Sequence, residues 1–188
     1  MLNFALDFSA TSRLSSAAGL PLAVNLVPHP WDVSQWSKLF AVVSGPLGLN
    51  AVQGYPGYAI ASDGAYFHRA IYLQHSGTTG NTYTVTLLVR AGTSGNMRMW
   101  VRNLDTNSES NFSGPLASLS GTDGGLTIVE NTVLADGLTH RILANYTQTA
   151  DGTLEFAIGP FSSTVGEDVI IVGAQVEEGL VAHPFNGG

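Results

Sequence analysis

The chain reads as an all-β jelly-roll sandwich preceded by a short N-terminal anchoring segment. Short apolar or alternating runs recur from residue 25 onward, with Gly, Asp and Asn turn signals between them. No stretch of ten or more residues carries a helical period, and no internal repeat is visible. Regular short strands separated by such turns predict a two-sheet antiparallel architecture. The 188 residues suffice for a single well-buried domain.

Residues 1–23 stand apart as an arm and linker, with the sandwich over 24–188. Leu2, Phe4, Leu6 and Phe8 alternate like a short strand, and Ser12–Gly19 is a run of mostly small residues. An isolated alternating segment makes no core of its own. Its partner is its own sheet, a neighbouring subunit or a larger assembly, and as an assembly anchor these four side chains are the candidate contacts.

Strands are expected over 36–43, 57–61, 65–74, 82–91, 96–104, 110–119, 125–134, 138–148, 153–159 and 168–178. Turn signals separate them at Gly45-Pro46, Asp63-Gly64, Thr79-Gly80-Asn81, Asp123-Gly124-Gly125, Asp136-Gly137 and Asp151-Gly152. Alternation assigns faces. Over 65–74, Tyr66, His68, Tyr72 and Gln74 share one face, with Phe67, Ile71 and Leu73 opposite. Over 82–91, Tyr83, Val85, Leu87 and Val89 oppose Thr84, Thr86 and Arg90. Over 96–104, Met97, Met99 and Val101 look inward, which gathers Arg98, Trp100 and Arg102 on the other face. Val169-Ile-Ile-Val172 has no polar side and predicts a strand buried on both faces.

Composition removes several functions. Net charge is −7 with one lysine, so a nucleic-acid-binding surface is not expected. No apolar run reaches the ~20 residues of a membrane helix. There is no cysteine, which excludes disulfides and thiolate metal sites. The opening Met-Leu-Asn-Phe-Ala-Leu-Asp lacks the basic start and long apolar core of a signal peptide, so synthesis in a cytoplasm followed by assembly there is the expectation. Charged residues are 11%, well below the roughly 25% of average domains. A surface wetted by neutral polar groups fits an assembly component or a protein that meets sugars.

Asn25-Leu-Val-Pro-His-Pro-Trp-Asp-Val-Ser-Gln-Trp36 resembles the N-L-L-x-x-S-x-D-F-S-x-W opening of jelly-roll domains common in bacteriophage structural proteins. Gly173-Ala-Gln-Val-Glu-Glu-Gly179 with Ala182-His-Pro-Phe185 resembles their closing G-A-Q-L-E-E-G-x-x-A-T-x-Y-I-P-T. Leu6-Asp-Phe8 is similar to the L-D-F that opens such proteins, and Thr82–Gly92 to their T-Y-T-F-S-V-Y-V-K-A-G strand. The likeness spans roughly 24–185; the end departs from it, stopping at His183-Pro-Phe-Asn-Gly-Gly188. The resemblance implies a jelly roll akin to carbohydrate-binding modules, used in fibres, tail parts or capsid decoration. It further implies a virion location, other capsid or tail proteins as partners and a homotrimer. It does not fix a ligand; host-surface polysaccharide is the candidate, and the alternative is a dedicated carbohydrate-binding receptor-recognition module (adhesin) of a phage tail. Related jelly rolls hold a structural calcium, for which Asp32, Asp168 and Glu177 are the candidate oxygen ligands.

No catalytic signature accompanies these motifs, and the expectation is a non-enzymatic protein. Glu177 and Glu178 are adjacent on a strand and point to opposite faces, so they cannot flank one glycosidic bond. They read as a strand end emerging into solvent. The histidines show no zinc-ligand spacing, and Gly92-Thr-Ser-Gly95 lacks the form and setting of a nucleophile elbow. The candidate binding residues are Trp100 flanked by Arg98 and Arg102, extended by Tyr66, His68 and Tyr72. An indole stacks on the C–H face of a sugar while arginines bond hydroxyls or carboxylates; the same residue types also suit a second core layer or a subunit contact. Tyr55-Pro-Gly-Tyr58 reads as an aromatic loop for a ligand rim or an oligomer seam, and Trp31 and Trp36 as seals at one end of the sandwich.

Overall fold

A computed structural model describes residues 25–48, 56–64 and 70–183. The strands are β1 (Ser37–Leu39), β2 (Ala41–Ser44), β3 (Tyr58–Ser62), β4 (Ala70–Gly77), β5 (Thr82–Ala91), β6 (Asn96–Asn103), β7 (Ser108–Pro115), β8 (Gly121–Asp123), β9 (Leu126–Val133), β10 (Thr139–Thr147), β11 (Gly152–Pro160) and β12 (Asp168–Glu178). They form a five-stranded sheet, β1-β4-β11-β6-β7, and a seven-stranded sheet, β2-β3-β12-β5-β10-β9-β8. Every pairing between them is antiparallel.

The core lies between the sheets and follows the period-2 patterning. Tyr83, Val85, Leu87 and Val89 of β5 meet Met97, Met99 and Val101 of β6, and Leu154, Phe156 and Ile158 of β11. The Tyr83 and Phe156 rings cross the gap edge to face at 5.5 Å. Each fully buried aliphatic side chain contributes roughly 1.5–3 kcal/mol. β12 sits between β3 and β5, with Val169, Ile171 and Val172 essentially inaccessible. That placement is the interior strand its apolar run predicts.

Two sequence expectations change. The strand expected over 36–43 is broken at Phe40, whose φ of 48° turns the chain out of one sheet and into the other. β1 therefore pairs with β4 and β2 with β3. The strand expected over 110–119 begins at Ser108 and ends at Pro115, where Leu116–Ser118 coil into a 3-10 turn. The outer face of the seven-stranded sheet is covered at its centre, in keeping with a strand buried on both faces. Thr84, Thr86, Arg90, Gln175 and Glu177 are all buried.

The two segments that frame the sandwich are joined directly. Leu26 N donates to Val176 O at 2.7 Å, and Ala174 N to Pro30 O at 2.9 Å. Asn25 Oδ1 accepts from Val176 N at 3.2 Å and from Val27 N at 3.0 Å. Trp36 fastens the same segment to the core. It is 7% exposed and its Nε1 donates to His29 O at 3.1 Å. Trp31 is half-buried. The arm/sandwich boundary at 23/24, and with it Leu2, Phe4, Leu6 and Phe8, lies outside the described residues.

Candidate functional site

Register places Arg98, Trp100 and Arg102 on one face of the five-stranded sheet, as alternation requires. Trp100 pairs across with Ala157 and Asn111, and Ala157 with Tyr72. Tyr72, Ala157 and Trp100 thus form one row across β4, β11 and β6. Tyr66, His68 and Tyr55 lie outside the described residues.

Trp100 is committed to the protein. It is 2% exposed and packs with Ala70, Ala157, Leu39 and Tyr72. Its Nε1 donates to Glu155 Oε1 at 3.1 Å, and the Arg98 guanidinium carbon lies 5.0 Å from its ring centroid. Arg98 also pairs with Glu109, and Arg102 donates to Asn107. A cation over an indole is an attractive contact, and here it occupies a ring that a sugar would need. Glu109 and Glu155 share this face on either side of β6. Each carboxylate already accepts from a neighbour, and Glu155 is buried. The arrangement is a packed polar layer.

The accessible ring of the row is Tyr72, at the sheet margin. β1 pairs with β4 only from Ala70 to Tyr72. Past Tyr72, among the described residues, β4 has no strand on that side, and an edge strand offers unpaired backbone donors and acceptors. A groove of about 330 Å³ follows this edge, lined by Leu26, Pro28, Gln35, Trp36, Ser37, Tyr72, Leu73 and Gln74. Small-ligand sites commonly begin near this size. Tyr72 is half-buried, while Gln35 and Gln74 are exposed. Among the described residues, neither the Tyr72 hydroxyl nor the Gln74 amide has a hydrogen-bond partner. Sequence reading named Tyr72 and put Gln74 on its face, but missed Gln35, because the groove is built by the Pro28–Ser37 segment folding beside β4. Nothing in local periodicity reports that contact.

Two further hollows suit a glycan less well. A void of about 20 Å³ between the sheets has room for one water at most. A surface groove of about 340 Å³ at Ala117–Ser120 and Ile128–Asn131 has no aromatic ring in its lining.

Tyr58 departs from the expected rim. It is 8% exposed and opens β3. Burial first, and then the neighbouring Asp32 carboxylate, push its hydroxyl pKa up. Asp32 caps a 3-10 turn at Val33–Gln35, accepting from Ser34 N at 3.2 Å and Ser34 Oγ at 2.5 Å. The Ser34 hydroxyl is the largest cause of its lowered pKa.

The three candidate calcium ligands are not brought together. Asp168 and Glu177 sit at opposite ends of β12, roughly 30 Å apart at strand rise. Asp168 Oδ1 accepts from Thr93 N and Oγ1 at 2.7 and 2.8 Å. Glu177 accepts from His183 N at 3.1 Å and meets His183 Nδ1 at 3.0 Å. Among the described residues, no three His, Asp or Glu side chains are clustered to hold a metal ion. Glu177, at 1% exposure, is also not the solvated strand end that the sequence predicts. Only Glu178 emerges, on the opposite face, with its carboxylate 3.5 Å from His75 Nε2.

No family model matches the chain, and no curated protein sequence does. Among solved structures it is similar to a CBM4 carbohydrate-binding module, with a TM-score of 0.45 and 16% identity over 79% of this chain and 84% of that chain. It is also similar to the N-terminal endo-1,4-β-D-xylanase 10B of Clostridium thermocellum, CBM22-1–GH10 modules complexed with xylohexaose. That match has a TM-score of 0.50 and 11% identity over 81% of this chain and 28% of that chain. A third likeness is to exo-β-1,3-galactanase of Phanerochaete chrysosporium bound to β-1,3-galactotriose, with a TM-score of 0.43 and 10% identity over 84% and 30% of the two chains. The chain spans under a third of each enzyme chain. Two antiparallel sheets in this order, with that likeness in fold, make the chain an all-β jelly-roll sandwich.

Proposed function

We propose that the chain is a non-catalytic glycan-binding module whose site is the β4-edge groove. The observation that carries this reading is the groove's lining. It combines a partly accessible tyrosine ring with the side-chain amides of Gln35 and Gln74 and an open strand edge. Sugars present C–H faces to rings and hydroxyls to amides, so this chemistry matches them. The fold likeness to the xylanase 10B CBM22-1–GH10 structure, which is complexed with xylohexaose, supports the reading. The test is to incubate purified protein with a polysaccharide panel and measure both retention and chain length. Retention without chain shortening is expected. Chain shortening would establish an enzyme instead, and retention by no member would remove the reading.

A second reading places this module in a bacteriophage particle, as a decoration or fibre component held by its first 23 residues. The Asn25–Trp36 and Gly173–Phe185 motif likeness favours it. So does the direct clasp between those segments, which fixes residue 25 beside the end of β12. In such a particle, homotrimers in many copies would turn weak glycan sites into useful avidity. Mass spectrometry of purified particles tests it: the chain is expected in stoichiometric amount, and its absence from particles would contradict the placement.

A further inference from the structure

We infer that the β4-edge groove selects neutral glycans and rejects those bearing uronate, sulfate or phosphate groups. This rests on the glycan-binding reading above and adds the ligand class.

Recognition of an acidic sugar requires a cation free to meet it, most effectively an arginine fork. Among the described residues, no lysine, arginine or histidine lines the groove. The nearest cation in sequence is Lys38, whose Nζ is turned onto Ser34 O at 2.9 Å and Trp36 O at 3.4 Å.

Elsewhere among the described residues the arginines are committed too. Arg90 pairs with Asp136 at 2.8 Å, Arg141 with Glu130 at 2.9 Å, and Arg98 with Glu109. Arg102 bonds Asn107 and lies between Glu109 and Glu155 in the sheet register.

The fixed charge that does border the groove is negative. Gln35 Nε2 lies 3.5 Å from Asp32 Oδ2, and hydrogen bonds hold that carboxyl below its usual range and therefore ionised at neutral pH. The chain as a whole carries −7, so a polyanion also meets repulsion on approach. What the described residues leave for a ligand is the Tyr72 ring and hydroxyl, the glutamine amides and strand-edge backbone. All of these are neutral partners for ring C–H and hydroxyl groups.

The experiment is affinity electrophoresis of the full chain through gels containing neutral polysaccharides (β-1,4-xylan, mixed-linkage β-glucan, galactomannan) or polyanions (polygalacturonate, alginate, chondroitin sulfate). It is run at low and high salt, with Tyr72→Ala and the exposed-site variant Gln74→Ala alongside. Retardation by a neutral polysaccharide, independent of salt and reduced in both variants, is the expected result. Retardation by a polyanion, sensitive to both variants and weakening as salt rises, overturns the neutral assignment while leaving the glycan reading standing. Retardation that both variants keep unchanged overturns the placement in this groove. Retardation by nothing overturns the glycan reading and the ligand class with it.

Discussion

Tyr72 and Trp100 stand in one row of the five-stranded sheet with Ala157 between them, yet one is half-buried and the other 2% exposed. Alternation predicts the shared face and is silent on the difference. The difference arises because Trp100 belongs to β6, next to the β7 edge and under Arg98, whereas Tyr72 lies where β1 stops covering β4. Aromatic residues of the same row therefore have separate roles, one in packing and one at the groove.

Trp100→Ala is expected to act on stability. Truncating a buried tryptophan costs about 3–5 kcal/mol, and here it also strips Glu155 of the Nε1 donor and Arg98 of its ring. Chemical denaturation of the variant should show that loss, while the fraction still folded keeps its glycan affinity. An unchanged midpoint would mean that the indole is not packed as described.

The clasp between the chain's opening and closing segments predicts a stability cost for Asn25→Ala. Its Oδ1 accepts from both Val27 N and Val176 N, and leaving those donors short of partners costs about 1–3 kcal/mol. Hydrogen exchange at the Val176 amide should accelerate in the variant. Exchange equal to wild type would show that the side chain holds nothing there.

Asp136 gives a pH-dependent term. Its carboxyl is held far below the usual carboxylate range, chiefly by the Thr139 hydroxyl, then by the Thr139 and Leu138 amides, with Arg90 adding to them. A folded pKa below the unfolded one means the stabilisation is complete above pH about 4 and lost as pH falls toward the folded value. Asp136→Asn should lower stability by about 2 kcal/mol at neutral pH. The gap from wild type should shrink between pH about 4 and about 2. A gap that stays constant over that range would place the linkage elsewhere.

Gly92 is required by close approach. A Cβ there would lie 2.4 Å from the Asp168 carbonyl oxygen and 2.8 Å from its carbon, both backbone atoms that cannot rotate away. Gly92→Ala is expected to cost about 3 kcal/mol through forced backbone movement, read as a lowered thermal midpoint. A neutral result would show that the β5–β6 turn and the start of β12 are looser than this contact requires.

Most of the fold is legible in the sequence because a strand's two-residue period writes burial directly into residue order. Tyr83–Val89, Met97–Val101 and Val169–Val172 all lie where alternation or an unbroken apolar run puts them. Phe40 escaped because a sheet-to-sheet corner needs only one residue of unusual φ, with no compositional mark. Glu177 escaped because its burial depends on His183 folding back onto it and on Asn25 lying against it from the far end of the sequence, neither of which a strand's period reports. The groove was half legible. Tyr72 and Gln74 stand together on one polar face by alternation, whereas Gln35 becomes their neighbour only once the Pro28–Ser37 segment lies beside β4.

The most direct test of the account is titration calorimetry of a neutral oligosaccharide from the best-retained polymer into wild type, Tyr72→Ala and Trp100→Ala. The account predicts at least a tenfold loss of affinity in folded Tyr72→Ala, about 1.4 kcal/mol. In folded Trp100→Ala, affinity should be preserved. Wild-type affinity in Tyr72→Ala together with abolished binding in folded Trp100→Ala would contradict it and move the site to the sheet face.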